Sequence, residues 1–390
     1  MNLSKFPSQN DIYIVDDSLC DQLQELTEGD VSSCYQCGVC TAVCPWGLFG
    51  GESLSVRALI RSAQIGIQDQ NENLWLCTTC GQCNAYCPRG VDVAKIIRAL
   101  RLLAWDAHTV QAGLPSLLWS IYWNNNPWSQ PPSQRENWIG SQHVPLFDPD
   151  HHEILLYIGC TSSYDRRAQK IALALVEIFH ESAVKYGYLG ENEPCCGESA
   201  LSVGHLPYFH EIVLNNTKLF RDRGVRDVVT VSPHCYDVFK NHYPAVDGWI
   251  KPIHYTEYVE KLISDGRLSF STTIGKRVTY QDPCYLGRHN KVYDAPRTVI
   301  NAIPGIELIE MTEVGIDGLC CGGGGGRMWL ETKAGERFSD SRVQQALETN
   351  ADTLITACPF CVVCLEDSLK SIPECEMQVL DVAELVVLAL

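Results

Sequence analysis

The sequence predicts a helical N-terminal domain followed by two repeated α/β lobes. Three observations carry this. Two cysteine combs near the N-terminus share one spacing and are each followed by apolar residues at helical intervals. An internal repeat begins near residue 150. Within each copy, strand-like apolar runs ending at a cysteine alternate with helical stretches, the pattern of α/β architecture.

The first comb is Cys34, Cys37, Cys40 and Cys44 with Pro45 next, and the second is Cys77, Cys80, Cys83 and Cys87 with Pro88 next. C-x2-C-x2-C-x3-C-P is the ligand spacing of proteins with two [4Fe–4S] clusters, in which the fourth cysteine of each comb reaches the other cluster. Cys34, Cys37, Cys40 and Cys87 are therefore expected to hold one cluster, and Cys77, Cys80, Cys83 and Cys44 the other. Structural zinc sites instead use two C-x2-C pairs separated by a loop. The segments Ser53–Gln64 and Val93–Leu103 read as helices, and strand patterns are almost absent, so residues 1–110 are expected to form a mostly helical ferredoxin domain.

Residues 111–150 are rich in Trp, Asn and Pro and read as an extended linker. Its tryptophans, Trp119, Trp123, Trp128 and Trp138, are expected to pack on the body or on a partner. The repeat then spans residues 151–270 and 271–390. The first copy runs from Ile154–Cys160 through Cys195-Cys196-Gly197 to Asp227–Cys235, and the second from Arg277–Cys284 through Cys320-Cys321-Gly322 to Asp352–Cys361. Sites in such folds form beyond the C-terminal ends of strands, where Cys160, Cys235, Cys284 and Cys358 stand.

The second copy offers five thiols, Cys284, Cys320, Cys321, Cys358 and Cys361, more than one zinc or one cubane requires. The run Gly322–Gly326 is expected to let backbone approach a cluster closely. The first copy has only Cys160, Cys195, Cys196 and Cys235, because Ser232 stands where the second has Cys358. Such a site suits a cluster or zinc, or is vestigial. His234, His289 and Arg327 lie near motif cysteines and are candidates for moving protons or binding a substrate carboxylate, or for hydrogen bonding beside the metal. Cys20, Cys364 and Cys375 fit no motif and read as buried free thiols.

Composition narrows the function. The net charge of −17 excludes a basic nucleic-acid footprint and docking on an anionic membrane. Twenty cysteines without a leader in Met1–Ile14 indicate metal ligands in a reducing, cytoplasmic setting. No stretch is long enough to span a membrane, so any membrane link, at the inner membrane, runs through a partner. No flavin or nicotinamide fingerprint is present. The expected partners are other subunits of a redox complex: a flavoprotein, a dehydrogenase or a haem-containing membrane subunit.

The Cys-Cys-Gly motifs resemble the CCG domain of the heterodisulfide reductase catalytic subunit. Cys34-Tyr-Gln-Cys-Gly-Val-Cys-Thr-Ala-Val-Cys-Pro and Trp75–Asp92 resemble its small ferredoxin subunit. The fused order is similar to the large subunit of the membrane-linked enzyme and its bacterial relatives. The resemblance implies an iron–sulfur oxidoreductase subunit. Two cubanes would feed a noncubane [4Fe–4S] cluster on Cys284, Cys320, Cys321, Cys358 and Cys361, which reduces or forms a disulfide or related sulfur substrate. The paired mechanism of the soluble enzyme uses two complete motifs, and Ser232 breaks one of them. The alternative is an electron-transfer subunit linking a flavin or metal dehydrogenase to a quinone or ferredoxin module.

Overall fold

Apolar residues recurring at helical intervals around the combs become helices packed on one another. The computed structural model describes residues 16–48, 54–67, 72–140, 142–245, 248–332 and 335–390. The leader reading of Met1–Ile14 lies outside them. Helix Val56–Gln64 starts at Ser55, whose hydroxyl accepts from the Ala58 amide, and it buries Val56, Leu59, Ile60 and Ala63 along one stripe. Helix Val93–Asp106 is capped by Asp92 and buries Val93, Ile96, Ile97 and Leu103. Among the described residues before 150 there is no strand.

The 111–150 segment differs from the extended crossing expected of it. Residues Gly113–Asn124 are a helix, because Leu114, Leu117, Leu118 and Ile121 share a face that the body covers. Pro115 falls in its first turn, where the missing amide costs nothing, and the remaining prolines follow its end. Trp138 is buried and Trp128 packs edge-on against Trp329, whereas Trp119 and Trp123 are exposed.

Each lobe holds a four-stranded parallel sheet. The first contains β1 (Ile154–Tyr157), β2 (Tyr186–Gly187), β3 (Asp227–Thr230) and β4 (Lys251–His254), in the order β2-β1-β3-β4. The second contains β5 (Lys276–Gln281), β6 (Ile306–Leu308), β7 (Thr353–Thr356) and β8 (Gln378–Asp381), in the order β6-β5-β7-β8. The two orders are identical. Register makes the match residue by residue. Tyr157 pairs with Thr230, and Thr230 with His254; Gln281 pairs with Thr356, and Thr356 with Asp381. Counting on from each row, Cys160 matches Cys284, Ser232 matches Cys358 and Cys235 matches Cys361. His254 and Asp381 both cap the following helix through a capping box.

The lobes pack through matching helices. Gln169–Glu181, which follows β1, lies against Val382–Val387, which follows β8; Asp294–Ala302, which follows β5, lies against Tyr255–Ser264, which follows β4. Each contact becomes the other when the lobes are exchanged, as approximate twofold symmetry requires.

Candidate metal centre

Comb two and the last cysteine of comb one meet. Cys44, Cys77, Cys80 and Cys83 line one small cavity, and all four are pulled from solvent. Burial pushes the Cys44 thiol up to about 12, with Cys77 and Cys80 adding to it. Cys40 is raised by burial, with Cys34 and Cys37 close enough to contribute, and Tyr35 lies beside both Cys37 and Cys87. The Thr79 amide donates to Cys77 Sγ (3.4 Å) and the Val91 amide to Cys87 Sγ (3.3 Å). Softly ligating thiols ringed by backbone donors are a donor set that fits iron–sulfur clusters.

The second lobe gathers its five cysteines beyond the ends of β5 and β7. Cys284 Sγ lies 3.7 Å from Cys320 Sγ, and Cys361 Sγ lies 3.3 Å from Cys321 Sγ. Cys358 stands just before the helix Pro359–Lys370, makes no side-chain cap bond, and lies beside Cys361. The set abuts comb two, since Cys320 lies near enough to Cys80 to push its thiol up, together with burial. Gly322 holds φ +89° and its counterpart Gly197 φ +86°, so the residue after each cysteine pair turns left-handed, where a side chain would be strained.

The glycine run gives one amide to sulfur, Gly322 donating to Cys320 Sγ at 3.3 Å, and it has a second task. A Cβ on Gly325 would stand 2.4 Å from the Cys77 carbonyl oxygen, and one on Gly324 2.6 Å from that of Thr78. These glycines admit the backbone of comb two, bringing one set of cysteines against the other. Gly323 alone borders sulfur on both sides, with Cys364 Sγ 2.9 Å and Cys321 Sγ 3.8 Å from a Cβ there. Cys364 is accordingly half-buried beside the site, and Cys20 and Cys375 are also half-buried rather than buried.

The first lobe brings Cys160, Cys195, Cys196 and Cys235 around one small cavity. The Cys160 thiol lies near that of Cys195, and the Cys196 thiol near that of Cys235, all four being free. Ser232 spends its hydroxyl on capping, accepting from the His234 amide at 3.3 Å. The sequence reading missed what supports this site. Arg135, from the linker, reaches Cys160 Sγ (3.4 Å) and pairs with Glu193 (3.0 Å), which accepts the Ile158 and Gly159 amides. No local pattern marks either residue.

His234 crosses between the lobes. Its Nδ1 lies 3.2 Å from Glu198 Oε1, and the ring stands near enough to Cys358 of the second lobe for each to shift the other's pKa. It packs on Phe360, its counterpart by register, at 4.7 Å between centroids, and stacks on Tyr285 at 4.0 Å. Burial opposes charge on His234, but Glu198 and Cys358 raise its pKa. The Cys358 thiol is brought down to about 5 against its own burial by Cys361 and His234. His289 serves the backbone instead, bonded to the Thr79 carbonyl at 2.8 Å and stacked on the other face of Tyr285. Arg288, also unforeseen, donates to the Cys80 and Gly318 carbonyls. Arg327 lies over the Trp46 ring and borders a cavity that reaches Cys321.

Comparison with known proteins follows the same division. Residues 30–91 match the family described as a 4Fe-4S dicluster domain, and residues 154–240 and 278–366 each match a cysteine-rich domain. The chain is 36% identical to an EtfAB:quinone oxidoreductase of Syntrophomonas wolfei over 80% of its own length and 46% of that protein. It is 35% identical to the probable iron-sulfur-binding oxidoreductase FadF of Bacillus subtilis, covering 82% of this chain and 47% of FadF. It thus spans about half the length of these two relatives. Against one subunit of the dihydromethanophenazine:CoB–CoM heterodisulfide reductase of Methanosarcina mazei, identity is 30% over 93% of this chain and 94% of the relative.

Proposed function

The chain belongs to the heterodisulfide reductase family, as a fusion of ferredoxin and CCG domains, and on that premise we propose that it passes single electrons from two comb clusters to a noncubane cluster on Cys284, Cys320, Cys321, Cys358 and Cys361, where a disulfide or related sulfur substrate is reduced or formed. The observation that carries this reading is the packing of comb two on the second lobe, where Arg288 donates to the Cys80 carbonyl at 2.7 Å and Gly325 lies against the Cys77 carbonyl. It sets the backbone of two comb cysteines against the segments that follow Cys284 and Cys321. Cys34, Cys37, Cys40 and Cys87 would hold one comb cluster, and Cys77, Cys80, Cys83 and Cys44 the other.

Iron–sulfur clusters, when bound, supply the one-electron steps. The chain's own residues do the rest. Gly324 and Gly325 bring the two cysteine sets together, and Arg288 places a fixed positive charge beside Cys80, Cys284 and Cys320. His234 stands beside Cys358, and the two raise and lower each other's pKa. The first lobe, with Ser232 occupied in capping, would carry no equivalent cluster, since a serine hydroxyl is a poor substitute for thiolate on iron.

A second reading has its own support: this chain as an electron carrier between a dehydrogenase or flavoprotein and a quinone module. The 36%-identical relative is named an EtfAB:quinone oxidoreductase. Under either reading the chain works with other subunits, on the cytoplasmic side if membrane-linked.

The test is anoxic purification with Cys321→Ala alongside the wild type. The wild type should carry about 12 irons per chain. The variant should lose about four of them and the terminal-cluster resonance while keeping both comb signals. An unaltered spectrum and iron content in the variant would refute the assignment.

A further inference from the structure

A cavity of about 380 Å³ lies where the comb domain meets both lobes, and among the described residues no cysteine lines it. The comb domain contributes Asp92 and Arg98, the first lobe Asp237 and His242, and the second lobe Arg288 and Lys291. Three fixed cations thus stand against two carboxylates. The two histidines of the wall, His242 and His289, add no charge near neutral pH, because burial lowers both, His242 to about 4. The walls therefore carry an excess of positive charge in a chain whose net charge is −17.

Three buried atoms of these wall residues have no hydrogen-bond partner among the described residues: Arg98 Nε, Arg288 Nη2 and Asp237 Oδ2. Their side chains are deeply enclosed, Arg98 being 7% exposed, Arg288 5% and Asp237 2%. Burial opposes charge on Arg98, but Tyr285, Asp237 and Asp92 raise its pKa. Arg288 spends Nε on the Cys80 carbonyl and Nη1 on that of Gly318, which leaves Nη2 over. Asp237 accepts from Asn241 at 2.7 Å and from Asn290 at 3.1 Å, both on Oδ1. Its Oδ2 has His242 Nε2 at 3.8 Å, too far for a hydrogen bond. Buried polar atoms are costly when unmatched. Here two donors and one acceptor border a space of ligand size.

We propose that this cavity binds a protonated tetrahedral oxyanion of the phosphate class, with Arg98 and Arg288 donating to its oxygens and Asp237 Oδ2 accepting from its hydroxyl. Guanidinium groups suit phosphate oxygens, and away from water such bonds are strong. The carboxylate selects among anions. Phosphate keeps at least one O–H at neutral pH and sulfate keeps none, so sulfate would set a lone pair against Asp237. Lys291 is exposed and marks the side open to solvent, where its charge attracts the anion and an ester chain has room. Free phosphate and a phosphate monoester share this chemistry. A bound oxyanion touches the comb domain and both lobes, so it fastens the three together. The inference goes beyond the electron-transfer reading and does not depend on it.

The experiment uses cluster-loaded full-length protein, exchanged anoxically into phosphate-free buffer at neutral pH and constant ionic strength. Calorimetry measures binding of sodium phosphate, sodium sulfate and ethyl phosphate. Wild type should bind phosphate about tenfold or more tightly than sulfate, and its unfolding midpoint should rise with phosphate concentration. Arg98→Gln should bind phosphate about tenfold or more weakly. Asp237→Asn keeps the Oδ1 contacts and exchanges the free acceptor for a donor, so it should bind the two anions alike. Lys291→Gln, at an exposed position, should lose about twofold to threefold. Should Arg98→Gln fail to fold, the Asp237 and Lys291 variants carry the test. Ethyl phosphate bound as tightly as phosphate identifies a monoester as the source, and binding about tenfold weaker identifies free phosphate. Absence of phosphate binding by wild type at millimolar concentration would overturn the proposal. So would equal wild-type affinity for sulfate, or an Asp237→Asn variant that still prefers phosphate.

Discussion

One imidazole ties the incomplete lobe to the complete one. His234 is buried between Glu198 and Cys358, and removing one member of such a pair strands the other. His234→Phe, which copies the residue at the matching position of the second lobe, should destabilise the protein by about 3 kcal/mol. It should also lower the midpoint potential of the terminal cluster, because an imidazole whose pKa is raised beside a ligand sulfur stabilises the reduced state. Denaturation midpoints and a redox titration followed by electron paramagnetic resonance check the two effects separately. A second residue predicts pH dependence. Asp381 is wholly buried, accepts from the Tyr255 hydroxyl at 2.5 Å, and is pushed up to about 8 by burial. Its folded form keeps a proton that the unfolded chain releases near pH 4. Stability from this group is therefore full below pH 4 and is lost as pH rises toward 8, on the order of a few kcal/mol. Asp381→Asn keeps the cap and the acceptor but cannot titrate, so its unfolding midpoint should vary less over that range.

At the scale of elements, the glycine run is a seam between comb two and the second lobe. Gly325 has φ +62° and backbone of Cys77 and Thr78 where a Cβ would be. Gly325→Ala should cost about 3 kcal/mol, from overpacking against rigid backbone and a left-handed turn. It should also weaken magnetic coupling between the second comb cluster and the terminal cluster, read from the wild-type and variant spectra. Gly248→Ala, where a Cβ meets nothing within 4 Å, should change neither. The exposed Trp119 and Trp123 on the helix Gly113–Asn124 stack on each other, 6.5 Å apart at 14°, rather than on the body as expected of the linker tryptophans.

For the molecule as a whole, Arg101 is the fastener. It is fully buried on the helix after comb two and donates to four carbonyls: Leu74 (3.0 Å) and Cys77 (2.8 Å) of the comb segment, Ser202 (2.6 Å) of the first lobe and Gly325 (2.8 Å) of the second. Arg101→Leu leaves all four acceptors buried and unpaired. The expected loss is about 4 kcal/mol or more, with faster proteolysis between the comb domain and the lobes. Arg101→Lys, which reaches fewer acceptors, should fall between the two. Measured unfolding midpoints and digestion rates decide this.

The two combs, the helices beside them and the repeated lobe were legible in the amino-acid sequence because each depends on local spacing. Three thiols reach one cluster only when they are a turn apart. A strand ending at a cysteine shows its period within a few residues, and a helix stripe shows within two turns. Even the missing thiol of the first lobe could be read, from Ser232 aligned with Cys358. Tertiary structure alone decided what joins these parts. Arg135 beneath Cys160, His234 beside Cys358, Arg101 among four carbonyls and the glycines packed on comb two are contacts between residues far apart in the chain. A buried arginine and a surface arginine are the same letter. The difference is whether folding surrounds the guanidinium with carbonyls from three parts of the chain, and that depends on the packing of whole elements rather than on any short pattern.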